Sequence, residues 1–417
     1  MNYKDVIRST VFAVLTVGVM SCASPHRNVS HLDAGQAAHG SLEGEAEVIE
    51  RAEQFHQKLI EQGVIIRADK KTKEYFDAIL ASLLTEEEKN SNVYKVYLTR
   101  SPDFNAFALG NGHIYFNLGL AAGLANAEQI AFVMAHEIEH INQRHSMVTY
   151  YRIKEQLTAA SVIDIVLLGT KLSYLGAASN LSKHSQQHEL DADRFAIERI
   201  ERSGYDACVG YAALDRIEEI APKSDPDAWF ASHPSFIERT SQLASYQSDD
   251  CYAADNTPEY LEMRQSIFAK AVDSMLKGGY VLLAQKTLNA APNLLPQWRF
   301  HQLNAQAYYQ LSMRPEQAGK ETALWQGEEY EAEYTEPFRL AQDDNALLAV
   351  EQATLAVELA PQEPQAYKTL GMSLQEQDPA KAVQAFETYI ALKPNGRETR
   401  FIQHKINTLK RSKEMNL

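Results

Sequence analysis

The sequence predicts a mainly α (α+β) protein: a helical domain with a small antiparallel sheet, followed by an all-α repeat domain. Three observations predict this. Apolar residues recur at helical spacing over 48–84, over 130–141 and again beyond Pro258. Only the stretch around 93–116 alternates like strands, and a Gly110-Asn111-Gly112 turn interrupts it. The polar, Asp-rich segment from Asp249 to Thr257 separates the two helical regions.

Composition bounds the function. The chain has 417 residues, enough for two or three domains, with 45% hydrophobic and 23% charged residues, as in soluble globular proteins. A net charge of −15 without a basic block argues against nucleic acid as a partner.

At the N-terminus, Lys4 and Arg8 precede an apolar run from Ser9 to Met20 that is too short to span a bilayer. It ends in Val19-Met20-Ser21-Cys22, which resembles a bacterial lipobox with Cys22 as the lipidated residue. Residues 1–21 are therefore read as a lipoprotein signal peptide and 22–45 as a flexible tether. The expected location is the bacterial cell envelope. Ala23 after the cysteine suggests the outer membrane, with the protein facing the periplasm and touching the membrane through lipidated Cys22.

Two helical patterns follow, Val48-Phe55-Leu59 and Tyr75-Phe76-Ile79-Leu80-Leu83, broken by Gly63. The strand Val93–Leu98 and the hairpin Asn105–Leu109/His113–Phe116 come next. The edge of such a hairpin can pair with an extended peptide, which makes Asn105, Ala106 and Phe107 candidate substrate-binding residues. His113 is read as structural or substrate-facing rather than as a ligand.

Asn126 then caps a buried helix, with Gln129 at capping-box spacing. It carries His136-Glu137-Ile138-Glu139-His140. His136 and His140, one turn apart, share a face and can hold one Zn²⁺ per chain, and Glu137 is placed to act as general base. Read as running on through Gln143, Arg144 and His145, the helix turns His145 off the metal face, so it stands either behind a ligand or on the surface. The apolar stretch Leu157–Leu181 contains Asp164 and Lys171, so it reads as a lid or membrane-facing loop rather than a span.

The next helix sets Glu189 and Asp193 on one face. Glu189 is the natural third zinc ligand, and Asp193 can fix the tautomer of a ligand imidazole. His184 and His188 project from another face and read as surface residues. His233, before Pro234, can complete the zinc shell at rest or donate to an oxyanion in turnover. Cys208 and Cys251 flank that segment and can clamp it by a disulfide in an oxidising compartment.

Asn105-Ala106-Phe107-Ala108, the glycine-bearing turn, the His136–His140 motif and Glu189-Leu190-Asp191-Ala192-Asp193 resemble the gluzincin peptidases of the HtpX and BepA type, peptidase family M48. Ser232-His233-Pro234 and Arg239 resemble the family's late histidine-proline segment. The resemblance covers roughly Val48 to Gln247. It implies a mainly helical zincin fold and endopeptidase activity on unfolded or misassembled proteins, and the periplasmic BepA-like branch fits best. Outer-membrane proteins are its suggested substrates. The zinc metallopeptidase domain is set at 46–248.

From 258 to 417 the chain follows a tetratricopeptide-like (TPR) pattern, clearest from Pro364 through Gly371 to Ala382, Phe386 and Pro394. Stacked helix pairs of this kind offer a surface for protein partners. Acidic Ser312–Asp344 reads as an exposed insert. The alternative to a protease is a TPR-based chaperone or assembly adaptor with a structural or latent zinc site.

Overall fold

The computed structural model describes residues 42–156, 186–221, 233, 236–252 and 257–415. The expectations for the signal peptide, Cys22, the Leu157–Leu181 lid and His184 lie outside these residues. Among the described residues no helix is long and apolar enough to cross a membrane.

The architecture is mainly helical with one three-stranded sheet. Helix α1 (Glu45–Glu61) begins inside the segment read as tether and stops before Gly63, which adopts φ +64°. Helix α2 (Lys70–Leu83) is capped by Asp69, whose side chain accepts from the Thr72 amide at 3.0 Å. Helix α3 (Glu86–Ser91) carries a full capping box between Thr85 and Glu88.

Strands β1 (Lys95–Thr99), β2 (Ala106–Ala108) and β3 (His113–Asn117) lie in the order β1-β3-β2. The hairpin makes β2 and β3 antiparallel, while β1 pairs with β3 in parallel, so the sheet is mixed rather than wholly antiparallel. The physical reason is that β2 occupies one edge of β3, and β1 takes the other edge running the opposite way to β2. Gly112 closes the turn at φ +83°, and a Cβ there would lie 2.2 Å from Val93 Cγ1, so only glycine lets these segments pass.

The pleat sorts the strands by face. Ala106, Ala108, Ile114 and Phe116 join the main core on the side of α5 (Ala127–Asn142), which follows the short α4 (Leu118–Gly123). Phe107 and Tyr115 join a second cluster with Leu59 of α1. Residues 129–141 of α5 are all buried, which accounts for its apolar composition on every face.

Helix α5 does not continue through His145. It ends at Asn142, Arg144 turns left-handed at φ +53°, and α6 (His145–Gln156) starts a new direction. The Arg144 guanidinium, buried, donates to Glu45 at the head of α1 at 2.8 Å. That ion pair holds the break.

Helices α7 (Gln186–Arg202), α8 (Cys208–Ile220) and α9 (Phe236–Leu243) complete this region. The buried side of α7 reads Glu189, Ala192, Asp193, Ala196, Ile197, Ile200, and its alanines let α7 approach α5 closely. A disulfide joins Cys208 to Cys251, with Cα atoms 5.8 Å apart.

Beyond residue 257 come α10 (Pro258–Gly278), α11 (Val281–Ala290), α12 (Gln297–Met313) and α13 (Pro315–Gln326). After these follow α14 (Glu336–Leu340), α15 (Gln342–Leu359), α16 (Pro364–Leu374), α17 (Pro379–Leu392) and α18 (Thr399–Met415). The stretch Ser312–Asp344 is only partly an exposed insert. Its α13 is a packed helix with Ala318 and Ala323 buried, while residues 326–333 form a continuous exposed run. Helices α16 and α17 pack so closely at Gly371 that a Cβ there would lie 2.4 Å from the Phe386 ring. Helix α10 does not stand apart from the preceding region. Tyr260, Ile267, Phe268 and Val272 share one core with Phe76 of α2 and Leu120 of α4.

Candidate metal centre

The centre forms where α5, α7 and the segment around His233 meet. Asn126 starts α5 by accepting from the Gln129 amide at 2.8 Å. The return bond of a capping box is displaced by one residue: Gln129 Oε1 accepts from the Ala125 amide at 2.8 Å. About two turns after Gln129, His136 and His140 face the same way, their Nε2 atoms 2.9 Å apart.

Glu189 of α7 faces both rings, its oxygens 3.5 Å from His136 Nε2 and 3.4 Å from His140 Nε2. His233 arrives from the other side, with Nε2 3.1 Å from Glu137 Oε1. Ligand atoms of His136, His140, Glu189 and His233 all lie within 4.8 Å of one another, and all four residues are buried.

Partners outside this cluster aim the rings. Asp193 lies 2.9 Å from His136 Nδ1 through Oδ1. An N–H at His136 Nδ1 leaves the Nε2 lone pair facing Glu189. Asp193 is itself gripped by Arg239 of α9 in a two-pronged contact, Nε and Nη2 each at 2.7 Å. The third nitrogen, Nη1, lies 3.1 Å from Glu189 Oε2. One fully buried guanidinium therefore ties together Asp193 and Glu189.

The break after α5 brings His145 back, with its Nδ1 2.6 Å from His140 Nδ1. His188, half-buried, stacks on His145 with ring centroids 4.1 Å apart. His145 thus stands behind a ligand ring, one of the two places expected of it, but reaches it because α5 breaks after Asn142 rather than running on. Arg144 and His145 carry no glycine or proline signal from which the break was legible.

The electrostatics favour a cation. Glu137, Glu189 and Asp193 place three carboxylates against one guanidinium, Arg239, all buried. Burial and the Arg239 charge oppose protonation of His136, yet its contacts with Asp193 and Glu189 prevail and push its pKa up to about 9. Burial likewise opposes the charge on Asp193, but Arg239 outweighs it and holds the carboxyl well below the usual range. Neither Glu189 oxygen has a hydrogen-bond partner among the described residues. Two imidazoles and a carboxylate, all buried and converging on one point, are a donor set suited to a divalent ion.

Residues 70–247 match the model for peptidase family M48. This segment is an M48 peptidase domain. The M48 segment takes in the strands, the cluster and Arg239. The chain is similar to the beta-barrel assembly-enhancing protease of Escherichia coli (strain K12), 25% identical over 245 residues, which are 55% of this chain and 50% of that protein. The putative beta-barrel assembly-enhancing protease of Vibrio cholerae serotype O1 is 28% identical over 175 residues, 39% of this chain and 36% of the relative. The mitochondrial metalloendopeptidase OMA1 of Bos taurus is 24% identical over 170 residues, 36% of this chain and 31% of the relative. The chain thus spans about half the length, or less, of these curated relatives.

Asn105 and β2 lie at the sheet edge next to α5, but the Phe107 side chain points away from the centre and stacks on Tyr115 at 4.8 Å. Asn105, Ala106 and Phe107 are all buried. His113 is buried beside His56, 4.6 Å between centroids, on the α1 side of the sheet. Burial, with the His56 charge, pushes its pKa down to about 4.

Proposed function

We propose that the protein is a zinc endopeptidase of the bacterial envelope that cleaves unfolded or misassembled proteins. The observation that carries this reading is the convergence of His136, His140 and Glu189 on one buried point with Glu137 beside it. Polarisation of the scissile carbonyl, and acidification of the water that attacks it, are what a zinc ion supplies in such a shell. Glu137 accepts the proton of that water and delivers it to the leaving amine. Asp193 and His145 hold the two ligand rings, each through the Nδ1 atom that points away from the shell. The side of β2 away from β3, from Asn105 to Phe107, takes an extended substrate as an added strand.

His233, with a ring nitrogen beside the same cluster, completes the ligand set at rest or donates to the oxyanion in turnover. Lipid attachment at Cys22, a periplasm-facing outer-membrane location and outer-membrane protein substrates complete the proposal. They are supported by the lipobox-like sequence and by the names of the bacterial relatives. The divisions 1–21, 22–45, 46–248 and 258–417, with TPR-like repeats in the last, belong to the same reading.

The adaptor alternative, with a purely structural zinc, has no use for a base at Glu137. The test is zinc analysis combined with casein cleavage. Glu137→Gln should keep about one zinc per chain and lose cleavage by at least ~100-fold; His136→Ala should lose the metal. His233→Ala should retain zinc; faster cleavage than wild type assigns His233 as a resting ligand, and a loss of roughly a hundredfold assigns it as the oxyanion donor. Normal cleavage by zinc-loaded Glu137→Gln would falsify the assigned mechanism.

A further inference from the structure

A second pocket lies far along the chain from the metal centre, between the end of α10 and helices α12, α16 and α18. It encloses about 540 Å³. The molecule carries 55 acidic against 40 basic residues, yet the pocket is lined by Lys277, Arg314, Lys368 and Lys405, with no Asp or Glu among its lining residues. A local positive patch on an acidic protein is an electrostatic trap for an anionic group.

The four cations are not equivalent. Lys368 is paired with Glu398 at 2.8 Å. Lys405 donates to the neutral Gln375 at 2.9 Å and sits over the Phe401 ring. Lys277 and Arg314 are exposed and have no carboxylate partner among the described residues. Three charges are therefore open to a ligand.

The interior adds a second observation. Ser373, only 5% exposed, lines the pocket, and its Oγ has no hydrogen-bond partner among the described residues. A buried hydroxyl without a partner is costly unless a ligand meets it. Around it stand apolar groups, Tyr309, Met372 and Phe401, the last 53% exposed. Gln306 and Gln310 offer amides at the spacing of one helical turn on α12.

We infer that this pocket binds an acidic segment of a partner polypeptide, its carboxylates on Lys277, Arg314 and Lys405 and its apolar side chains on Phe401 and Met372. The mixture excludes simpler ligands. A nucleic acid is opposed by the net charge of −15, and a small inorganic anion has no use for the aromatic and methionine surface. The glutamine amides suit a peptide backbone, which needs both donors and acceptors. The inference does not depend on the metal centre and holds whether or not the protein cleaves peptides.

The experiment uses the full chain and fluorescence anisotropy with a labelled, end-blocked peptide that alternates glutamate with leucine and phenylalanine. A Kd in the micromolar range is expected, weakening severalfold as salt rises from about 50 to about 300 mM. Arg314→Glu with Lys277→Glu should weaken binding by ~10-fold or more, and Ser373→Ala by about threefold. The two reversed charges are exposed, so the fold is not at risk, and Arg314→Gln alone should give an intermediate loss. Equal binding of the glutamine-for-glutamate peptide would show an apolar groove without charge selection and overturn the inference. So would displacement by pyrophosphate as readily as by unlabelled peptide, or no binding at about 1 mM peptide.

Discussion

Arg239 concentrates more of the metal centre than any ligand does. Its three guanidinium nitrogens reach Asp193 twice and Glu189 once, with no exposure to water. Removing one member of a buried charge cluster leaves the others unpaired, which costs about 3–5 kcal/mol. Arg239→Met is therefore expected to lower thermal stability by that order, measured on the metal-free protein. Arg239→Lys should recover part of the loss, because it restores the charge but not the two-pronged grip on Asp193. The same contact explains why Asp193 can aim His136: a carboxylate held from one side presents a fixed oxygen to the ring. Nothing in the spacing of Asp193 and Arg239, 46 residues apart, announces this pair.

At the scale of elements, helix termini decide several outcomes. The start of α11 is capped from outside by Glu321 of α13, whose oxygens accept from the Leu282 and Leu283 amides at 2.9 and 2.7 Å. Burial pushes this carboxyl up to about 7, against the opposing pull of those amides. The folded protein then binds a proton there that the unfolded chain has already lost. Stability from this group is full below the ordinary carboxyl value and falls as pH rises towards about 7. Glu321→Gln should flatten that fall, by on the order of 2 kcal/mol between about pH 5 and pH 8. Unfolding midpoints of the two proteins measured across that range check it; parallel curves would refute it. The break between α5 and α6 belongs to this scale too. It rests on the Arg144–Glu45 pair, and it alone brings His145 to His140.

Across the whole molecule, one apolar core runs from Phe76 of α2 to Ala318 of α13, while a smaller one, with Phe386 and Tyr389, lies in the C-terminal helices. Helix α10 is the joint, bound to α2 by Lys71–Glu262 and Lys270–Asp69 contacts as well as by apolar packing. The disulfide acts over a comparable distance. It closes a segment with a sequence separation of 43 that contains α8, His233 and Arg239. The chain-entropy model assigns such a loop about 4 kcal/mol. Cys208→Ala with Cys251→Ala should lower the urea midpoint accordingly, and reduction of the wild type should reproduce the shift. An unchanged midpoint would show that packing alone orders the segment.

The sequence by itself determined the elements whose signals are local. The His136–His140 face, the Asn126 cap, the Gly110-Asn111-Gly112 turn and the Glu189–Asp193 face all depend on contacts within a few residues, where periodicity and turn chemistry are decisive. Tertiary structure decided the rest. The parallel pairing of β1, the turn of Phe107 away from the centre, the return of His145 and the grip of Arg239 each join residues distant in sequence or bend a helix without glycine or proline. Such contacts are fixed by what is left to bury and to neutralise once the elements meet, and no single segment carries that information.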